Sequence, residues 1–147
     1  MGLDLRMKGD KIPNQHHITR CCQPKYILDG QIQPGAFKLR AGEESLSVDW
    51  LEFLNCSSRE SEITKIRNIY STRFRSVGAS AKIAVLNVGE VRQKVLTESP
   101  DGRNLVIIHY PLIDDPSHSG IDNLKQNDEL IAELILETVR EAYSART

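Results

Sequence analysis

The longest apolar runs in this chain are only four residues long, and this length limits the folds that the chain can form. The two runs are Ile83 to Leu86 and Leu105 to Ile108. Both contain β-branched residues and have the length of a buried strand, whereas a membrane-spanning helix needs about 20 apolar residues. We therefore predict buried strands over 82–88 and 105–110 and no membrane segment.

Two further stretches have the 3.6-residue apolar period of an α-helix, 59–73 and 129–143. Two serines precede the first stretch, and Asn127 and Asp128 precede the second, so each has a side-chain oxygen that can cap its first turn. Shorter elements are also predicted: strands over 16–23, 36–40 and 45–48, the last two forming a hairpin, and short helices over 50–55 and 89–96.

This order of elements predicts an α+β fold. The chain of 147 residues is long enough for one core, which favours a single domain. We expect a mixed sheet of about five strands with the two longer helices packed on one of its faces. Residues 1–15 are polar and without periodicity, which predicts a flexible N-terminal arm before a domain over 16–147, and residues 111–126 are predicted to form a long loop.

Opposite charges are separated along the chain although they nearly cancel, at 19 Lys and Arg against 20 Asp and Glu. Residues 1–78 carry a net charge of +3 and residues 79–147 a net charge of −4. Four glutamates are spaced by four in the last predicted helix: Glu129, Glu133, Glu137 and Glu141. Like charges at this spacing repel, so we expect the stripe to be solvated, to face Arg59, Lys65 or Arg67, or to bind a protein partner with a basic surface.

The predicted loop and its flanks contain the residues most suited to catalysis. His109, Asp114, Asp115 and His118 lie within ten residues of one another. A histidine oriented by a carboxylate serves as a general acid or base near neutral pH, so we identify these four as candidate catalytic residues. The alternative is structural, because an aspartate before Pro-Ser also stabilises a turn.

A second set of polar residues lies on or near the first strands and is the candidate substrate-binding set: His17, Arg20, Arg40, Ser47 and Glu52. An arginine on a strand is costly to bury without an anion or a carboxylate. Arg20 is therefore predicted to hold an anionic ligand or to form a structural ion pair with Asp49 or Glu52.

Cysteine content indicates a reducing compartment. The three cysteines, Cys21, Cys22 and Cys56, are an odd number and include an adjacent pair, which is unlike a disulfide scaffold. No CxxC pair is present, and we predict neither a metal nor a cofactor. The N-terminus lacks the apolar centre of a signal peptide, so a cytoplasmic protein is expected.

Three segments carry a family resemblance: 36–40, 44–52 with Leu-Ser-Val-Asp-Trp-Leu-Glu, and 114–121 with Asp-Asp-Pro-Ser-His-Ser-Gly-Ile. They resemble a family of short uncharacterised bacterial proteins over about 17–143, which implies a bacterial cytosolic protein and no particular activity. A second resemblance is to ADP-ribosyltransferase-type folds and maps His17 or Arg20, Ser47 and Glu52 onto dinucleotide-handling positions. The spacing here is more compact than in those folds, where the catalytic Glu comes later.

Two hypotheses about function follow. The glutamate stripe, the charge asymmetry and the lack of a GxSxG, P-loop, GxGxxG or HExxH motif favour a non-catalytic interaction module or a small subunit of a multi-protein system. The alternative is an enzyme or binding domain for a phosphate-bearing ligand, a nucleotide or RNA. The enzyme hypothesis requires convergence of four residues in one cleft: His17, Arg20, His109 and His118.

Overall fold

An antiparallel sheet of six strands organises the chain in the computed structural model, which describes residues 9–146. Its strands are β1 (His17–Cys22), β4 (Leu46–Trp50), β5 (Lys82–Asn87), β6 (Val106–His109), β7 (His118–Asp122) and β8 (Glu141–Ser144), while β2 (Ile27–Leu28) and β3 (Gln31–Ile32) form a separate pair. The order across the sheet is β6-β7-β4-β1-β5-β8. The predicted α+β class and single domain are confirmed, but the sheet is antiparallel rather than mixed.

Helices cover both faces of the sheet, not one as predicted. They are α1 (Arg59–Arg73), α2 (Val88–Glu98) and α3 (Glu129–Glu137), with 3₁₀ helices at Pro24–Tyr26, Pro34–Phe37 and Glu52–Leu54. The interior strand β5 explains the arrangement, because Ile83 and Val85 pack with α1 while Ala84 and Leu86 pack with α2 and α3. A strand that is apolar on both sides needs cover on both sides.

Helix α1 follows the sequence prediction closely. Ser58 is its N-cap and accepts a hydrogen bond from the backbone N–H of Ser61 at 3.1 Å. Its buried stripe, which includes Ile66 and Tyr70, packs on the sheet. The helix ends at Arg73, and this places the Arg73 guanidinium beside the middle strands of the sheet.

The predicted hairpin over 36–48 is not formed, because its first strand is a 3₁₀ helix at Pro34–Phe37. Proline is favoured in the first turn of a helix, where its missing N–H costs nothing. Ala36 and Phe37 are both buried in the core between α3 and the sheet. Adjacent buried residues fit a helical turn and do not fit the alternation of a half-buried strand.

The predicted loop over 111–126 contains the interior strand β7. It pairs with β4 on one side and β6 on the other, so its backbone is fully used within the sheet. Its residues 118–121 are buried although three of them are His, Ser and Gly. Small polar residues carry no apolar period, which is why the pattern did not indicate a strand here.

The last predicted helix is also shorter than expected. Helix α3 ends at Glu137, and the chain turns at Thr138 to form the edge strand β8. Strand β8 pairs antiparallel with β5, with Tyr143 opposite Ile83. Glu141 therefore lies on a strand and not on the helix that carries the other three glutamates.

Part of the predicted N-terminal arm packs against the sheet. Residues 1–8 lie outside the described part of the chain. Gly9 and Ile12 donate backbone hydrogen bonds to the carbonyls of His109 and Ile107, and Ile12 is 3% exposed. The segment that follows residue 8 is thus part of the domain. Within residues 9–146 we find no helix with the length and apolar character to cross a membrane.

Candidate functional site

Strands β1 and β4 separate after a short stretch of pairing, and the gap between them holds the candidate site. The pairing ends at Thr19 and Asp49, whereas β1 pairs with β5 along all six of its residues. The side chain of Arg20 occupies the gap. Its Nε donates to the carbonyl of Ala36 and its Nη1 to the carbonyl of Ser47, both at 2.9 Å. Arg20 therefore links its own strand, β1, to β4 and to the 3₁₀ helix at Pro34–Phe37.

Arg20 is a buried cation with only neutral partners. It is 9% exposed, and among residues 9–146 no carboxylate lies within ion-pair distance of it. Burial is the main cause that lowers the pKa of its guanidinium, and the charge of nearby Arg40 lowers this pKa further. The predicted ion pair with Asp49 or Glu52 is not formed, because both carboxylates are engaged elsewhere.

A small cleft opens beside this arginine. Its volume is about 140 Å³, and its walls include Arg20, Arg40, Arg73 and Ser47. A water molecule occupies about 30 Å³ in the liquid, so the cleft has room for a group of phosphate size and not for a whole nucleotide. The cleft shares walls, among them Phe74, with a neighbouring groove of about 480 Å³.

A pair of buried carboxyl groups lies under the cleft. Burial raises the pKa of Asp49 well above its usual range, and the hydrogen bond to Asp115 raises it further. The raised pKa favours the protonated form of Asp49, which can donate a hydrogen bond to Asp115. The Ser117 hydroxyl lies 3.1 Å from Asp49 and 2.8 Å from Asp115, while Arg73 Nη1 donates to Asp115 at 3.1 Å.

The charges around the cleft leave one positive charge in excess. Three arginines line it, against two carboxyl groups, those of Glu43 and Asp49. Glu43 accepts a hydrogen bond from the backbone N–H of Arg40 at 2.7 Å. Arg73 forms an ion pair with Asp115 at 3.1 Å, whereas Arg20 and Arg40 have no ion-pair partner among the described residues and stay available to an anion.

His118 contacts the cleft through Ser47. Its Nδ1 lies 2.8 Å from the carbonyl of Tyr110, and its Nε2 lies 3.1 Å from Ser47 Oγ. A carbonyl only accepts, so Nδ1 carries the proton and Nε2 accepts the hydrogen bond from the serine hydroxyl. Burial is the main cause that lowers the pKa of His118, and this keeps the ring neutral at pH 7.

The two histidines predicted to act together lie on opposite faces of the sheet. His109 is opposite Ser119, the neighbour of His118 on β7, and neighbouring strand residues alternate between faces. Its Nε2 lies 2.7 Å from the Pro116 carbonyl, and its ring contacts that of Phe53 with centroids 4.7 Å apart. The predicted acid–base pair of His109 and His118 is therefore not formed.

The remaining catalytic candidates, Asp114 and Asp115, do not orient a histidine. Asp115 is fully buried and binds Arg73. Asp114 is exposed, with Oδ1 4.0 Å from Arg73 Nε. Through Arg73, the last residue of α1, they hold the C-terminal end of this helix against the sheet.

His17 and Glu52 pair with each other away from the cleft. His17 Nδ1 lies 2.7 Å from Glu52 Oε2, and the same carboxylate accepts the His17 backbone N–H at 2.7 Å. His17 precedes Arg20 by three residues, which is roughly 10 Å along a strand. The four residues required to converge do not do so, whereas Arg20, Arg40, Ser47 and His118 lie together.

The glutamate stripe is mostly paired within the chain. Glu129 pairs with Lys38, Glu137 with Lys94 at 3.0 Å, and Glu141 with Arg59 at 3.1 Å. The expected intramolecular contact with Arg59 is thus present, although it is made by a strand residue. Glu133 is exposed and has no ion-pair partner among the described residues.

Sequence reasoning missed Arg73, Tyr70 and Ser117 as residues of the site. Arg73 has the pattern of a basic last turn of a helix, and Tyr70 that of an apolar stripe. Tyr70 is buried, with its hydroxyl 3.5 Å from Thr19 Oγ1. The local pattern does not show that these residues belong to a site, because their partners include Thr19 on β1, Asp49 on β4 and Asp115 before β7.

The described residues contain no group of three or more His, Cys, Asp or Glu side chains placed to hold a metal ion. A comparison of the chain with models of known families, with curated proteins and with solved structures finds no match.

Proposed function

We propose that the protein binds a phosphate-bearing ligand, a nucleotide or RNA, with a phosphate group held in the cleft by Arg20 and Arg40. The observation that carries this proposal is the burial of Arg20 next to a second arginine, with no carboxylate partner within residues 9–146. Such an arrangement is costly unless an anion offsets it. Guanidinium groups bind phosphate oxygens with paired, charge-assisted hydrogen bonds.

The size of the two cavities supports the same ligand class. The cleft of about 140 Å³ suits one phosphate group, and the groove of about 480 Å³ beside it suits the attached sugar and base. Phe74 is in the shared wall and is half-buried, so it offers an aromatic surface to a base.

The interaction-module hypothesis stays a prediction. It rests on the glutamate stripe, the charge asymmetry and the lack of a catalytic motif, and three of the four glutamates of the stripe have ion-pair partners within the chain. The bacterial source, the family resemblance and the cytoplasmic location also stay predictions.

The test compares two substitutions that remove a cation from the same aromatic ring. Arg40 and Lys25 both lie over Tyr26, at 5.8 Å and 5.2 Å from the ring centroid, but only Arg40 lines the cleft. We would titrate wild type, Arg40→Met and Lys25→Met with inorganic phosphate, a nucleoside 5′-monophosphate and a short single-stranded RNA by calorimetry.

We expect Arg40→Met to weaken phosphate-group binding about 10- to 100-fold and Lys25→Met to leave it within twofold. A hydrogen bond to a charged group contributes about 1.5–3 kcal/mol, which corresponds to this range. The nucleotide and RNA arms separate the two sources of the phosphate. Absence of binding of all three probes at millimolar concentration, or equal affinities for the two variants, would overturn the proposal.

A further inference from the structure

The hydroxyl of Ser47 and the ring of His118 form a hydrogen-bonded pair at the wall of the phosphate cleft. Ser47 lines the cleft, while His118 lies behind it and is 9% exposed. The serine is on β4 and the histidine on β7, and their atoms Oγ and Nε2 are 3.1 Å apart. The pair thus joins a serine of the cleft wall to a buried acceptor.

The ring of His118 is held in the orientation that a base requires. Its Nδ1–H donates to the Tyr110 carbonyl at 2.8 Å, so the lone pair of Nε2 faces the serine proton. A nucleophile, a base and a third group that orients the base are the elements of an activated serine. Here the third group is a backbone carbonyl.

Charged groups around His118 do not change its neutral state. Burial and the charge of Arg73 lower the pKa of the ring, against opposing contributions from Asp115 and Asp114 and from the Tyr110 hydrogen bond. A base that stays neutral at pH 7 is ready to accept a proton.

We propose that Ser47 is the nucleophile and His118 the general base of a site that hydrolyses phosphate esters held in the arginine cleft. This inference rests on the proposed function, because Arg20 and Arg40 would hold the phosphoryl group and stabilise its charge. It adds a reaction to the binding activity.

The reaction has two steps. Ser47 Oγ attacks phosphorus, the bond from phosphorus to the ester oxygen breaks, and the serine proton passes through His118 Nε2 to the leaving oxygen. Water then attacks the phosphoserine, its proton passes to His118, and the bond between phosphorus and Oγ breaks. His118 returns the proton to Oγ, and inorganic phosphate and an alcohol are the products.

The test uses diisopropyl fluorophosphate, a neutral reagent that does not depend on the arginines. Ser47 would form a bond to phosphorus with loss of fluoride, and the adduct is located by peptide mass spectrometry. The variants are Ser47→Ala and His118→Asn, and Ser45→Ala is the control. The hydroxyl of Ser45 donates a hydrogen bond to Asp122 and not to a histidine. Asparagine keeps a donor near the position of Nδ1 and removes Nε2. Circular dichroism confirms that each variant is folded.

We expect labelling of Ser47 in wild type and in Ser45→Ala, no label at that position in Ser47→Ala, and a rate at least 100-fold lower in His118→Asn. The wild-type rate should rise with pH, reach half its maximum below the usual histidine pKa of about 6.5, and stay level above neutral pH. Wild type should also release p-nitrophenolate from p-nitrophenyl phosphate, and Ser47→Ala should not.

No adduct at Ser47, an undiminished rate in His118→Asn, or no release of p-nitrophenolate by wild type would overturn this inference. Phosphate calorimetry on wild type separates it from the proposed function, because inorganic phosphate can bind in the cleft without any reaction of Ser47. If wild type binds phosphate but Ser47 is not labelled, only the catalytic inference is wrong. If Ser47 is labelled but wild type does not bind phosphate, the proposal that the arginine cleft holds a phosphate group is wrong.

Discussion

Replacing Asp49 or Asp115 by asparagine should have unequal effects, although the two carboxyl groups are neighbours. Burial and the hydrogen bond to Asp115 raise the pKa of Asp49, which favours its protonated form, and the amide introduced by Asp49→Asn would likewise present a neutral donor to Asp115. Asp115 is the carboxylate that accepts the hydrogen bond from Arg73, so Asp115→Asn would leave that guanidinium without its buried anion.

The structure sets the size of the difference. Removing one partner of a buried ion pair costs about 3–5 kcal/mol, and Arg73 keeps 18% of its side chain exposed, so we take the lower end, about 3 kcal/mol. Asp49→Asn should cost less than about 1 kcal/mol, because its neutral hydrogen bond is kept. In a domain of this size, a cost of about 3 kcal/mol lowers Tm by roughly 6–12 °C. Urea unfolding and thermal melts at pH 7 measure both variants.

The pH dependence of the free energy of unfolding is a second test of the raised pKa of Asp49. Burial raises the pKa of Asp49 in the folded state above its unfolded value of about 3.9. Its proton therefore stabilises the fold fully below about pH 3.9, and this contribution is lost as the pH rises through the folded pKa. Asparagine does not titrate, so wild type should lose stability relative to Asp49→Asn as the pH rises from about 4. Equal costs at pH 7, or parallel stability curves for wild type and Asp49→Asn, would refute the assignment of the proton.

Two further predictions concern thiols and surface charge. Burial raises the pKa of Cys21 to about 11 and that of Cys22 to about 12. A thiol reagent at pH 8 should therefore modify the partly exposed Cys56 first, as measured by mass spectrometry. Equal rates of modification at all three cysteines would contradict this prediction. Charge reversal in α3 should have opposite signs at two exposed positions: Glu133→Lys should stabilise by a few tenths of a kcal/mol, while Glu137→Lys loses a lysine partner and should destabilise by up to about 1 kcal/mol. Urea unfolding checks both, and effects of the same sign would show that charge does not govern this face.

Sequence patterns predicted those elements whose burial follows a local period. The strands β5 and β6 come from short apolar runs, and α1 comes from an apolar stripe behind a serine cap. Strand β7 could not be predicted in this way, because His118, Ser119 and Gly120 are buried by their neighbours in the sheet and not by an apolar pattern of their own.

The candidate site was predicted in part. Arg20, Arg40, Ser47 and His118 were all identified from their residue types, but their grouping was not. His109 was expected beside His118 because the two are close in sequence, yet strand alternation turns them to opposite faces.

By itself, the sequence determined the α+β class, the single domain, the course of α1 and the buried strands β5 and β6, because these depend on residues close together in the chain. Only the tertiary structure decided which polar side chains meet. Ser47 and His118 are 71 residues apart and become neighbours because β4 pairs with β7. Among the described residues Arg20 has no carboxylate partner, and it donates instead to carbonyls beside the gap between β1 and β4. Contacts of this kind depend on strand order and register, which no local pattern encodes.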